Sequence, residues 1–232
     1  RNLFDPATSL FRGKNSKGAW RQPFDPLTAT SPMNNPGDYT EANAWQYFWT
    51  PAQYDVQGMI ELLGGKEKFT SKLDSFFSIH AVNPNKYLGQ EAMIGQYAHG
   101  NEPSHHIAWL YAYTNQPEKG RALIGKIYQD FYNDTPGGMI GNDDCGQMSA
   151  WYIFATLGFY PVNPANGAFV LAAPQCKKVV LQLAQNKKLL LLHQPSKSGE
   201  SISVLFNNKP LAGTTVTYRQ LMSGGVLQFN VL

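Results

Sequence analysis

The chain has 232 residues, of which 43% are hydrophobic, 13% aromatic and only 15% charged, with a formal net charge of +3. That length allows one large domain, or a domain with a small module. The mild charge, without a Lys/Arg cluster or a basic helix face, argues against a nucleic-acid partner. No apolar run approaches a membrane span, and the longest pure block, Leu189 to Leu192, has the length of a buried strand.

Arg1-Asn2-Leu3-Phe4-Asp5-Pro6 reads as mid-protein sequence, so a fragment or a processed chain is expected and the missing leader says nothing of compartment. Residues 1–40 are rich in Gly, Pro and Asn. They read as a long ordered loop with turns at Asp5-Pro6, Asn15 to Gly18, Asp25-Pro26 and Asn35 to Gly37. Residues 41–160 look helical. Val56 to Leu63 stops at Gly64-Gly65, and Lys66 to Phe77 spaces Phe69, Leu73, Phe76 and Phe77 on a helical period. Pro103 suits the first turn of a helix reaching about Tyr113. Glu118 to Phe131 and Gln147 to Leu157, the last stopping at Gly158, complete five or six helices on loops of unequal length. Paired helices with their polar loops gathered at one end point to a helical barrel or toroid.

From about residue 165 the pattern changes. Phe169 to Ala172, Val179 to Leu183, Lys188 to His193, Ile202 to Phe206, Thr215 to Tyr218 and Val226 to Val231 are short, apolar and punctuated by turn signals, one of them at Pro195 to Gly199. The expected class is therefore α+β, with helices over 1–163 and a small antiparallel β module over 164–232. Cys145 and Cys176 make neither a disulfide framework nor a metal cluster.

Three polar motifs sit on the loops. In Tyr39 to Trp49, Glu41 lies beside Trp45, Tyr47, Phe48 and Trp49. Apolar aromatic surroundings raise a carboxyl pKa, as a general acid requires, and Trp45 can stack on a sugar ring. The same motif also reads as a helix start over a core aromatic cluster. In His99-Gly100-Asn101-Glu102-Pro103-Ser104-His105-His106, adjacent histidines make a poor zinc pair, while Asn101 and Glu102 offer oxygen donors to a hard cation. Capping by Asn101 or Ser104, with partly exposed histidines, is the competing reading. In Gly138 to Tyr152, Asn142, Asp143 and Asp144 precede a helix, where they read as a catalytic base with a substrate-binding neighbour or as plain N-caps. A paired acid and base flanked by aromatics is the pattern of glycoside hydrolysis.

In order and content these motifs, with Val56 to Gly65 between the first two, resemble glycoside hydrolase family 92. The likeness extends to Leu10 to Pro26, with Phe11-Arg12-Gly13 and Trp20 to Asp25, which is similar to that family's loop before the acid. The family comprises calcium-dependent exo-acting α-mannosidases, many cutting α-1,2 linkages. The resemblance implies the second half of an (α/α)6 barrel over 1–163, followed by β structure. An N-terminal half would come from the same or a separate chain, the partners would be mannose-containing glycans, and the location would be secreted or periplasmic. It implies Glu41 as general acid and Asp144 as general base, with inversion, so the two carboxyls should stand about 6.5–9.5 Å apart. It assigns Ca2+ to a site using Asn101 and Glu102, and places His105 and His106 at the sugar subsite. Asn142 stands where many members carry a second carboxylate, and Ala42 where they carry Gly. Another (α/α)6 glycosidase or phosphorylase, a non-catalytic carbohydrate-binding remnant and a purely structural helical domain are the alternatives.

Overall fold

The computed structural model describes residues 1–28, 42–80, 93–194 and 201–232. Glu41 and the turns expected at Asn35 to Gly37 and Pro195 to Gly199 lie outside these residues. The fold is α+β, in two compact units: residues 1–105 with 140–142, and residues 106–139 with 143–232. The boundary expected at 163–164 falls inside the second unit. Among the described residues no helix is long and apolar enough to cross a membrane.

In the first unit, β1 (Phe4–Asp5) and β2 (Leu10–Phe11) form a hairpin within the expected loop. Beside it Arg12 donates to the Asp5 carboxylate across 2.7 Å, with both side chains buried. That hydrogen bond, more than any other influence, holds the Asp5 carboxyl below its usual range. Short α1 (Ala44–Tyr47) leads through a 3₁₀ turn, Thr50–Gln53, to α2 (Val56–Leu63). The Asp55 side chain caps α2, and left-handed Gly64 ends it, as the sequence indicates. Helix α3 (Lys66–Ser78) buries Phe69, Leu73 and Phe76 on one stripe. β3 (Met93–Ile94) and β4 (Tyr97–Ala98) make a second hairpin.

Aromatic rings run through this unit without a break. Phe4, Phe11, Phe48, Trp49, Phe76, Phe77 and Tyr97 follow one another at centroid separations of 5.8, 5.4, 5.0, 6.0, 5.1 and 5.4 Å. Each such pair adds about 0.5–1.5 kcal/mol beyond its buried area. The series therefore ties the N-terminal hairpin to the hairpin ahead of the histidine motif.

In the second unit, Ile107–Tyr113 is a 3₁₀ segment, and Glu102–Ser104 in the first unit is a separate 3₁₀ turn. The continuous α-helix expected from Pro103 to Tyr113 is thus replaced. Ile107, Ala108, Trp109, Leu110 and Tyr111 are all buried, so the segment has no solvent face of the kind an amphipathic α-helix keeps, and tertiary packing sets its winding. α4 (Pro117–Asp130) packs on it. The contact closes at Gly120, where a Cβ would come within 2.8 Å of the Ala108 carbonyl oxygen. α5 (Gln147–Leu157) buries Met148, Trp151 and Ala155 and ends at Gly158. Gly158 has φ 78°, and a side chain there would stand 2.4 Å from the Pro174 nitrogen.

Two sheets follow. The three-stranded one joins β5 (Phe159–Tyr160), β6 (Ala168–Leu171) and β11 (Thr215–Thr217) in the order β11-β6-β5, all antiparallel. The other is built from β7 (Lys178–Gln182), β8 (Lys188–His193), β9 (Ile202–Phe206), β10 (Lys209–Pro210) and β12 (Gly225–Val231), in the order β10-β9-β12-β8-β7. Its pairs are antiparallel except that β12 runs parallel to β8. A helix not foreseen, α6 (Tyr218–Ser223), carries the chain from β11 to β12 on a Thr217/Gln220 capping box. Leu189, Leu191, Leu221, Leu227 and Phe229 form the heart of this core. Each contributes about 1.5–3 kcal/mol by its removal from water.

Candidate active site

Helix α1 begins three residues after Glu41 and is held by a reciprocal cap. The Gln46 N–H donates to Asn43 Oδ1 and the Asn43 N–H to Gln46 Oε1, each across 3.0 Å. The Asn43 side-chain amide then donates to Gln96 Oε1 at 2.7 Å and to the Leu27 carbonyl at 3.3 Å. Gln46 Nε2 donates to the Gln96 carbonyl at 3.1 Å, and Gln96 Nε2 to the Ile79 carbonyl at 2.9 Å. Asn43, Gln46 and Gln96 are all buried. Of the aromatics beside Glu41, Phe48 and Trp49 are core, whereas Trp45 is half-buried. The Lys72 ammonium sits 4.1 Å from the centre of the Trp45 ring, and burial pushes the Lys72 pKa down to about 8.

The second motif opens from β4. His99, His105 and His106 are fully buried, unlike the partly exposed histidines of the competing reading. Tyr97 Oη and His99 Nδ1 are 2.8 Å apart, and His105 Nε2 lies 2.9 Å from the His99 carbonyl oxygen. A carbonyl only accepts, so His105 Nε2 carries a hydrogen and, in the neutral ring, Nδ1 keeps the lone pair. Burial and then the neighbouring His105 push the His99 pKa down to about 2, so His99 is neutral at any physiological pH. Asn101 is buried and Glu102 half-buried on the same turn. Among the described residues, no hydrogen bond or ion pair engages the Glu102 carboxylate. α1 packs beside this Glu102–Ser104 turn.

Residues 140–142 of the third motif belong to the first unit. A Cβ at Gly141 would lie 3.9 Å from Gly100, so the backbones of the second and third motifs run side by side there. Asn142 follows, exposed. In the second unit Asp144, Cys145 and Gly146 are all left-handed, with φ 47°, 57° and 92°. This conformation is uncommon for the first two residue types. Asp143 Oδ1 accepts from the Ser149 N–H at 3.0 Å and from Ser149 Oγ at 2.8 Å. The Asp143 carbonyl accepts from the N–H groups of Gly146 and Met148. The Asp144 carboxylate, half-exposed, makes no hydrogen bond or ion pair among the described residues. Tyr132 Oη donates to the Met148 carbonyl at 3.1 Å. Burial and then the Asp143 charge push the Tyr132 pKa up.

Segments of all three motifs therefore meet within the first unit: residues 42–47, 96–104 and 140–142. Among the described residues no three His, Cys, Asp or Glu side chains cluster as a metal cage. The donors of Glu102 and Asn101 fit a hard cation in kind. Carbonyl, water or substrate oxygens would have to complete its shell.

The whole of residues 1–232 matches the model of the glycosyl hydrolase family 92 catalytic domain. The chain belongs to that family. A family GH92 α-mannosidase of Bacteroides thetaiotaomicron, solved in complex with mannoimidazole, superposes with a TM-score of 0.88 at 36% identity, over 100% of this chain and 31% of its own. A family GH92 inverting mannosidase of the same organism gives a TM-score of 0.80 at 33% identity, over 100% and 32%. A protein of Arthroderma benhamiae named an uncharacterized secreted glycosidase is 24% identical over 96% of this chain and 28% of itself. The chain thus spans less than a third of the length of these relatives.

Within this family GH92 chain, four supporting residues escaped the sequence reading: Asn43, Gln96, Ser149 and Tyr132. The capping box Asn43-x-x-Gln46 was a legible signal. Gln96 and Tyr132 carry none, because their partners are distant in sequence.

Proposed function

We propose that this chain carries the acid, the base and the cation-binding turn of an exo-acting α-mannosidase. Its substrates would be terminal α-mannosides of glycans, α-1,2-linked by preference, and the enzyme would be secreted or periplasmic and active at the full length of its relatives. Residues 1–163 would be the catalytic part, half of an (α/α)6 barrel, and residues 164–232 a β module. The observation that carries this reading is the joining of the first two motifs through Asn43, Gln46 and Gln96. The 36% identity to an α-mannosidase supports it.

In this reading Glu41 protonates the departing glycosidic oxygen, and Asp144, half-exposed, takes a proton from the attacking water. One relative is an inverting mannosidase, and inversion is the outcome proposed here. His105, His106 and Trp45 would line the sugar, while Asn142 would offer hydrogen bonds without a charge. Glu102 and Asn101 would hold Ca2+, which when bound orients the sugar hydroxyls and favours a flattened ring.

The test is NMR observation of the first anomer released from an aryl α-mannoside, with and without prior chelation. Release of β-mannose that stops on chelation and returns with calcium is expected. First release of α-mannose would defeat inversion, and undiminished activity after chelation would defeat the calcium assignment. Phosphate-dependent turnover would point to a phosphorylase. Mannose binding without turnover would favour the carbohydrate-binding remnant, for which Asn142 in place of a carboxylate is the argument.

A further inference from the structure

The two adjacent carboxylates of the third motif are in opposite situations. Asp143 Oδ1 is occupied by two donors from Ser149, one turn into α5, and its carbonyl takes the N–H groups of Gly146 and Met148. Asp144 shares its side chain with no described residue. Between Asp143 and the helix lie Asp144, Cys145 and Gly146, all left-handed. A run of this kind does not persist on its own in L-residues, so the surrounding structure must hold it. Two clamps do so: the Asp143–Ser149 latch above, and Tyr132 Oη on the Met148 carbonyl beneath, with the Tyr132 ring stacked at 6.0 Å on Trp151.

We infer that Asp143 is a positioning residue, latched to Ser149 so that the left-handed turn presents the Asp144 carboxylate, and that it is not a ligand of the sugar. This rests on Asp144 acting as the base, and it replaces the substrate-binding role the sequence offered for Asp143. The Oδ1 atom, already serving two donors of its own helix, has little left for a sugar hydroxyl, and those two bonds fix the carboxylate toward α5. An aspartate also fits the latch better than an asparagine, because the first turn of a helix favours negative charge.

The experiment compares Asp143→Ala, Asp143→Asn and Ser149→Ala in the full-length enzyme, measuring kcat and KM together with amide hydrogen exchange over residues 146–149. Asp143→Ala is expected to lower kcat by about 100-fold with KM close to wild type, the scale of loss when a reacting group is slightly misplaced. Asp143→Asn, which keeps an oxygen for Ser149, recovers most of that loss, and Ser149→Ala gives a smaller fall of the same kind. A rise in KM exceeding the fall in kcat, or no recovery with Asn, would show direct contact with the sugar and overturn the inference. Exchange at Gly146 and Ser149 should quicken in Asp143→Ala, and unchanged exchange would overturn the latch. That readout is independent of turnover, so it stays decisive even if the protein proves not to be a mannosidase.

Discussion

Asn43 donates from its side-chain amide to Gln96 Oε1 across 2.7 Å, and the bond is wholly buried. It spans more than fifty positions of sequence and joins the segment after Glu41 to the hairpin ahead of His99. Its neighbours Gln46 and Leu27 complete a polar core in which every named group has a partner.

Removal of that hub should be expensive. Asn43→Ala deletes a helix cap, worth about 1 kcal/mol, and leaves a buried amide oxygen unsatisfied, worth about 1–3 kcal/mol. A loss of about 2–4 kcal/mol in denaturant-unfolding free energy is expected. Asn43→Asp keeps the cap but turns a buried carboxylate oxygen toward the Gln96 Oε1 and Leu27 carbonyl acceptors, so it should cost at least as much as Ala. A cost for Ala under about 0.5 kcal/mol, the range of an ordinary surface site, would contradict the assignment.

In the proposed mechanism, Glu41→Gln removes the proton that a leaving alkoxide needs. The fall in kcat/KM should be steep for a mannosyl disaccharide and slight for a mannoside with an acidic, nitrophenol-type leaving group. Equal falls on both substrates would argue against Glu41 as the acid.

Lys72 supplies a pH signature. Its pKa is depressed by burial from 10.5 to about 8, so the unfolded chain binds more protons between those values. Stability should therefore rise with pH across that window, and the cost of burying the ammonium should be fully present below it. Lys72→Met keeps the apolar stem and should abolish the rise. Unfolding midpoints of both proteins at pH about 7 and about 10 measure it, and the wild-type emission of Trp45 should change over the same range. A wild-type stability that is flat or falling there relative to Lys72→Met would refute the assignment.

The sequence was a good guide wherever one local signal sufficed. The bounds of α2, α3, α4 and α5 follow, to within a residue, from apolar spacing and from Gly64 and Gly158. The strands of the β module lie within a residue or so of where alternation and turns put them. Where tertiary contacts decide, the signal was lost. Ile107–Tyr113 winds as 3₁₀ because nearly every side chain in it is buried, a fact no periodicity reports. His99 and His105 go to the core because a tyrosine hydroxyl and a main-chain carbonyl satisfy them there. Asp143 and Asp144 look alike in sequence, and only the Ser149 contacts separate them.

The strand order β10-β9-β12-β8-β7 has a consequence for how the protein is made. β12 lies between β9 and β8, strands synthesised well before it. Until residues 225–231 clear the ribosome, β8 and β9 present two bare, apolar edges with the centre of their sheet missing, the sort of edge that recruits other strands. The helical part can begin to pack during translation, but the sheet can close only after it. A nascent chain stalled before Gly225 should therefore be the species that chaperones hold and proteases find.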